Sequence, residues 1–133
     1  ATSREALVLA RVGQGAFRTA VLASWGGRCA VTGVTTEAAI RASHIKPWRD
    51  STDAERLDPE NGLPLVATLD ALFDARLISF AADGSSIVSD QLGHDDRRRL
   101  GVEKIRLSRA PSGATARYLE HHRTRMSGHT QAS

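Results

Sequence analysis

Apolar residues recur with a helical period near the start of the chain. Phe17, Val21 and Trp25 stand four residues apart, which predicts a helix over 16–24 with one apolar face. The segment Gly13-Gln14-Gly15 predicts a break between this helix and an earlier one, because glycine favours turns over helix interiors. The chain therefore opens with two predicted helices.

The centre of the chain predicts short strands joined by loops. Residues 28–32 and 38–45 are extended in character, and the polar residues 49–60 are typical of a surface loop. Asn61-Gly62 predicts a tight turn. The apolar period becomes helical over 65–77, so we expect a helix there.

A hairpin and a final helix complete the pattern. Residues 77–80 and 86–89 predict two strands with a short connection, and residues 114–126 predict the last helix. Residues 127–133 are small and polar, so we expect a disordered tail after a single domain over 1–126. The order of helix, strands, loop, helix, hairpin and helix indicates the α+β class.

The composition fits one small basic domain. The 133 residues are 41% hydrophobic and 25% charged, which is typical of a folded chain rather than a disordered one. Of the 18 basic residues 16 are arginine, against 15 acids, and the guanidinium group suits phosphate. The charge therefore favours a nucleic acid or another polyanion as the partner.

Cysteine content and hydropathy limit the class of protein further. Cys29 is the single cysteine, so the chain forms no intrachain disulfide and no structural zinc site of the cysteine type. No apolar run approaches the roughly 20 residues that span a bilayer. We expect a cytoplasmic protein that does not bind a membrane.

His44 is the first residue with candidate chemistry. It follows an extended segment and precedes a loop, and the ordinary pKa of imidazole, about 6.5, suits a general base at neutral pH. The alternative is a half-buried strand histidine that bonds to a backbone carbonyl.

Asp70 and Asp74 form a pair of acids on one face of the predicted helix. They stand four residues apart, and no lysine or arginine lies three or four residues away to neutralise either of them. Two unpaired carboxylates favour a hard divalent cation such as Mg²⁺. The alternative is that Asp74 caps a loop or pairs with a distant arginine while Asp70 is solvated.

Asn61 is the third candidate. An asparagine before glycine is usually a turn residue, but its amide can also tie a loop together through hydrogen bonds to backbone groups.

These residues together resemble the HNH endonucleases. The similarity rests on the segments Ser43-His44-Ile45-Lys46-Pro47-Trp48, Asn61-Gly62-Leu63-Pro64-Leu65 and Leu69-Asp70-Ala71-Leu72-Phe73-Asp74. It extends over about residues 10–126, with the core motif at 28–90. The chain looks most like the bacterial branch found in restriction enzymes, often fused to a domain that reads modified DNA.

The resemblance implies a ββα-metal fold, in which a β-hairpin is crossed by a helix, with flanking N- and C-terminal helices and one divalent metal ion. On that pattern His44 is the general base and Asn61 holds the hairpin loop. Asp70 and Asp74 match the positions of helical metal ligands. Lys46 and Trp48, beside the base, become candidates for DNA contact, although Trp48 equally suits a place in the core.

The chain departs from the family pattern at three positions. Ser43 stands where relatives often carry an acidic or histidine metal ligand, and a serine is a poor one. Asp70 stands where the last histidine usually lies, which shifts the preference toward Mg²⁺ or Mn²⁺. Arg76 stands where relatives often have glycine, and its side chain suits either a phosphate contact or solvent.

The implied function is a metal-dependent endonuclease that hydrolyses DNA. The chain would be the cleavage module of a larger, modification-dependent restriction enzyme with a separate DNA-reading domain. One such site cuts one strand, so double-strand cleavage needs a homodimer or two binding events. Two alternatives stay open: a degenerate HNH module that binds DNA without cutting it, and an interaction domain whose arginines meet an acidic protein.

Overall fold

A computed structural model describes residues 3–132 as a mixed α+β fold. The helices and strands follow one another as α1 (Arg4–Ser24), β1 (Ile40–His44), α2 (Asp53–Leu57), β2 (Gly62–Val66), α3 (Ala67–Asp74), β3 (Ile78–Phe80), β4 (Ser86–Ser89), α4 (His94–Leu100), α5 (Gly113–Thr124) and β5 (Thr130–Ala132). Single 3₁₀ turns lie at Glu37–Ala39, Trp48–Asp50 and Pro59–Asn61. The predicted α+β class is confirmed.

The centre of the fold is a two-stranded hairpin with a helix packed across it. Strands β1 and β2 pair antiparallel, from Ile40 opposite Val66 to His44 opposite Gly62. Helix α3 starts directly after β2, and its apolar residues Leu69 and Phe73 are buried in the core. This hairpin and helix confirm the expected ββα arrangement.

A second sheet lies after α3. Strands β3 and β4 form the predicted hairpin, with Ile78 opposite Val88. Strand β5 pairs with the other edge of β4, so Thr130 lies opposite Ser89. Residues 130–132 therefore form a strand within the segment 127–133, where the sequence predicts a disordered tail; Ser133 is outside the described residues.

The first helix is continuous, and the predicted break at Gly13-Gln14-Gly15 is wrong. Glycine inside a helix costs only about 1 kcal/mol, which the packing of a long helix can offset. Gly13 also gives room to a neighbour, because a Cβ atom there would lie 3.1 Å from the Cδ2 atom of Leu57. Phe17, Val21 and Leu22 bury the C-terminal half of α1.

Because α1 is unbroken, by length and composition alone it is able to cross a membrane, and it is the one such helix among residues 3–132. The sequence expectation that no apolar run is long enough is therefore wrong. A core helix of a soluble protein meets the same criterion.

The segment before β1 also differs from its prediction. Residues 28–32 form a tight turn and not a strand, because the Gly33 N–H donates to the Cys29 carbonyl over 3.1 Å and Gly33 has a φ of 76°. Cys29 and Ala30 are nevertheless fully buried. The Ala30 N–H donates to the Pro64 carbonyl over 2.7 Å, which joins this turn to β2.

The loop between β1 and β2 is more ordered than its composition predicts. Residues 53–57 form the short helix α2, whose Thr52 and Glu55 make a reciprocal capping box at its start. Asn61 ends a 3₁₀ turn, and Gly62 is the first residue of β2. The predicted Asn61-Gly62 tight turn is therefore wrong.

Candidate active site

His44 is the last residue of β1 and is half-buried between two aromatic side chains. Its ring stacks on Phe17 of α1, with the ring centroids 4.0 Å apart and the planes 3° from parallel. Trp48 approaches from the edge, at 5.5 Å and 82°. The imidazole is thus fixed by a helix on its face and by the following turn at its edge.

One hydrogen bond determines which nitrogen of His44 carries the proton. Nε2 lies 2.9 Å from the carbonyl oxygen of Arg56, and because a carbonyl only accepts, Nε2 is the protonated atom. Nδ1 has no partner among residues 3–132 and is not sealed from solvent. Burial lowers the pKa of His44 below its ordinary value, so at neutral pH Nδ1 is free to accept a proton.

Asn61 ties together the two ends of the loop that follows His44. Its side chain is fully buried. The Oδ1 atom accepts from the backbone N–H of Lys46 over 2.8 Å, and the Nδ2 group donates to the carbonyl of Glu55 over 3.0 Å. The backbone N–H of Ile45 donates to the Asn61 carbonyl over 3.1 Å. These bonds fix the backbone immediately after His44.

Ser43 and Asp70 meet across the interface of β1 and α3. The Ser43 hydroxyl donates to Oδ1 of Asp70 over 2.5 Å, and Ser43 is 5% exposed. Successive side chains of a strand point to opposite faces, so Ser43 faces α3 while His44 faces α1. Asp70 is thereby held one residue along the strand from the imidazole.

Asp74 lies one helical turn after Asp70 and is exposed. It lines a cleft of about 320 Å³ with Pro47, Trp48, Arg49 and Arg76. Arg76 has a φ of 62°, the left-handed conformation that glycine adopts at lower cost. The cleft joins the end of α3 to the turn at Trp48–Asp50, which begins four residues after His44.

Asp70 and Asp74 are the carboxylates that α3 offers to a divalent cation; Asp74 lines the cleft, whereas Asp70 accepts from Ser43. Among residues 3–132 no group of three or more His, Cys, Asp or Glu side chains is arranged to hold a metal ion. Asp70 and Asp74 still offer two carboxylates on one helix. Mg²⁺ is commonly held by one or two carboxylates and keeps several waters, so this oxygen set fits it and Mn²⁺ better than it fits zinc.

The candidate DNA-contacting residues differ in how free they are. The Lys46 ammonium lies 3.0 Å from both carboxylate oxygens of Glu55. The Arg56 guanidinium lies 4.7 Å from the ring centroid of Trp48, whose side chain is 40% exposed. Within residues 3–132, Arg76 makes no side-chain hydrogen bond or ion pair, so its guanidinium is free to face the cleft.

Sequence reasoning missed two residues that touch His44. Phe17 is recognisable as part of an apolar helical stripe, but nothing in the sequence shows that it stacks on a histidine 27 positions later. Arg56 contributes its backbone carbonyl, and every residue type has one, so no sequence signal could have found it.

Comparison with known proteins finds a family that matches the central part of the chain. Residues 29–81 match the family model described as HNH endonuclease. No curated protein matches the chain. The matched segment contains the complete hairpin, His44, Asn61 and the helix α3, which are the features that the structure brings together. This match over residues 29–81 supports the HNH endonuclease family, whose members are generally nucleases.

Proposed function

We propose that this chain is a divalent-metal-dependent endonuclease that hydrolyses DNA phosphodiester bonds. The observation that carries the proposal is His44, whose Nε2–H is fixed on the Arg56 carbonyl while Nδ1 has no partner within residues 3–132. A general base needs an oriented, unprotonated nitrogen within reach of water, and His44 meets each condition.

In the proposed reaction His44 takes a proton from a water molecule at Nδ1. The Arg56 carbonyl then stabilises the resulting imidazolium, because Nε2–H already donates to it. Phe17 and Trp48 limit water around the ring, which keeps the imidazole neutral before the reaction. Asn61 holds the backbone that follows His44 and so supports the position of the base.

Asp70 would hold the metal ion, with Asp74 as the second carboxylate and water in the other positions. When bound, the ion supplies positive charge that stabilises the developing charge on the phosphate and on the leaving oxygen. Ser43 supports this arrangement as a donor to Asp70, which leaves the other carboxylate oxygen available. Its own hydroxyl is a weaker candidate ligand than either aspartate.

The cleft between α3 and the turn at 48–50 suits the phosphate backbone of a strand. Arg76 and Arg49 supply charge at its wall, and Trp48 supplies an aromatic surface. Lys46 joins them only if it leaves Glu55. These contacts are to backbone and stacked surfaces, so we expect weak sequence preference.

The proposal extends to the setting of the domain. We infer that residues 1–126 act as the cleavage module of a larger, bacterial, cytoplasmic restriction enzyme whose separate domain reads modified DNA. One His44 site hydrolyses one strand, so a homodimer or two successive binding events would complete a double-strand cut.

Plasmid nicking tests the proposal. Supercoiled plasmid is incubated with Mg²⁺ or Mn²⁺ and with the parent chain, His44→Ala, or His94→Ala, which alters an exposed histidine on α4. Loss of a general base typically costs about 100-fold or more in rate, so His44→Ala should be nearly inactive while His94→Ala matches the parent. Equal nicking by parent and His44→Ala would remove the catalytic assignment.

A DNA-binding module without cleavage is the second candidate, and one contact favours it. Ser43 replaces the acidic or histidine ligand of relatives, and its hydroxyl already occupies one oxygen of Asp70. Such a module would retain DNA affinity that falls with salt, but it would not nick plasmid whichever divalent ion is added. The same assay, with DNA binding measured beside it, distinguishes the two functions.

A further inference from the structure

Helix α1 is attached to both ends of strand β1 through two consecutive residues. Arg18 donates to the carbonyls of Ile40 and Glu37 over 2.7 and 2.9 Å, at the start of the strand. Phe17 stacks on His44 at the end of the strand. This part of α1 therefore spans the whole length of β1.

The close approach of α1 depends on Gly62, the partner of His44 in the hairpin. A Cβ atom on Gly62 would lie 2.7 Å from Cζ of Phe17 and 2.5 Å from Cγ2 of Val21, so only glycine leaves room for both side chains. Phe17 is 2% exposed and has a fixed environment on the hairpin side. The phenyl ring is thus rigidly placed under the imidazole.

The stack and the hydrogen bond constrain different motions of His44. The Phe17 and His44 rings are nearly parallel, with centroids 4.0 Å apart, and this contact restricts rotation of the imidazole out of its plane. The hydrogen bond to the Arg56 carbonyl directs Nε2 toward that carbonyl, which leaves Nδ1 on the opposite side of the ring. Both are needed to hold Nδ1 in one direction, because the hydrogen bond alone leaves the ring free to tilt.

We propose that Phe17 is a positioning residue for His44, holding the imidazole plane so that Nδ1 is presented to the attacking water. This inference rests on the proposed function and assigns to α1 a part in the reaction, although Phe17 touches neither substrate nor metal. The alternative is that Phe17 only fills the core, as does Val21, which lies one turn later and is fully buried.

The test compares two Phe17 variants with a control from the same helix face. Phe17→Leu and Phe17→Met keep an apolar side chain and lose the ring, and the second keeps the proposal testable if the first does not fold. Val21→Ala removes core packing against Gly62 and keeps the Phe17 ring. Thermal unfolding of each variant establishes that it is folded.

Two readouts separate positioning from packing. Proton NMR follows the Nε2–H of His44, which exchanges slowly only while it stays bonded to Arg56. Nicking kinetics separate kcat from KM. We expect both Phe17 variants to lose the Nε2–H signal and about tenfold or more in kcat, with KM changed by less than about twofold. Val21→Ala should keep the signal and kcat despite its lower stability.

Two results would overturn the inference: an Nε2–H signal that persists in both Phe17 variants, or a kcat that falls as far in Val21→Ala as in Phe17→Leu. An inactive parent chain would instead refute the proposed function. In that case the NMR signal still decides whether Phe17 fixes the ring, since that measurement needs neither DNA nor metal.

Discussion

Two histidines of this protein have nearly the same surroundings and different chemical capacity. His122 stacks on Phe73 at 3.9 Å and 5°, much as His44 stacks on Phe17, and each donates Nε2–H to a backbone carbonyl. The difference lies at Nδ1. In His122 it accepts from the Ser79 hydroxyl over 2.8 Å, whereas in His44 it has no partner within residues 3–132. Both ring nitrogens of His122 are therefore hydrogen-bonded, whereas His44 keeps one nitrogen without a partner in the described part of the chain.

At the residue scale, spacing in the sequence identifies the polar candidates but not their apolar supports. His44, Asn61 and Asp70 are predicted because together they resemble the HNH pattern, although each alone also suits an ordinary structural role. The Ser43–Asp70 bond is not found, since it depends on how α3 crosses β1. The same holds for Phe17, whose partner is set by tertiary packing.

Replacing Ser43 with an acid should make the fold's stability more dependent on a divalent cation. In Ser43→Asp two carboxylates would lie within hydrogen-bonding distance, so the metal-free variant should be less stable than the parent. Adding Mg²⁺ or Mn²⁺ should raise its Tm more than that of the parent, because each tenfold gain in metal affinity adds about 1.4 kcal/mol at saturating metal.

Ser43→Asn is the matched control, because it has a similar shape without the charge. Its Tm should respond to the cation no more than the parent's does. A cation response that is equal in Ser43→Asp and Ser43→Asn would show that Ser43 does not adjoin the metal site.

At the element scale, the sequence predicts helices and the outer hairpin better than it predicts β2. Residues 62–65 are buried on both faces of β2, so the strand lacks the alternation that distinguishes it from a helix. The apolar residues Leu63 and Leu65 therefore merge with the period of α3 that follows. The strand predicted at 28–32 is wrong for the opposite reason. Its apolar residues suit a strand, but Gly33 reverses the chain and the segment is a turn.

The fit between α1 and the hairpin predicts the effect of one methyl group. Gly62→Ala places a Cβ atom 2.5 Å from Val21 and 2.7 Å from Phe17, so helix and strand must separate. Overpacking of this kind costs about 1–3 kcal/mol, which chemical denaturation should detect. Gly15→Ala is the control, because nothing lies within 4 Å of its Cβ and it should stabilise α1 by about 0.5–1 kcal/mol. An equal effect of both substitutions would contradict the close packing.

At the scale of the whole molecule, many of the basic side chains in residues 97–125 form contacts that stabilise the fold. Of the basic residues between 97 and 125, several donate to backbone carbonyls of other segments; these are Arg97, Arg106, Arg109 and Arg123. Arg125 lies 3.7 Å from Asp50. The net charge of +3 indicates a polyanion partner, but the sequence cannot show which guanidinium groups are already used inside the protein.

His122 joins α5 to α3 and β3, so its protonation should affect the stability of the whole domain. Burial lowers its pKa to about 4 in the folded protein, from 6.5 in an unperturbed histidine. Between those values the unfolded chain binds more protons than the folded one. The contribution of His122 to the free energy of unfolding is therefore fully present above pH 6.5. It falls by on the order of 3 kcal/mol as the pH drops toward 4.

Urea denaturation at a series of pH values measures this loss. His122→Gln should be less stable than the parent at pH 7, because the glutamine amide cannot reproduce both bonds of the imidazole. The free energy of unfolding of this variant should also depend much less on pH between 6.5 and 4, since no proton is taken up at that position on unfolding. His44, whose pKa burial also lowers, contributes in the same direction, and His44→Gln measures its separate share. If the full pH dependence persists in His122→Gln, the acid sensitivity arises elsewhere and His122 is not the group that links pH to the packing of α5 on α3.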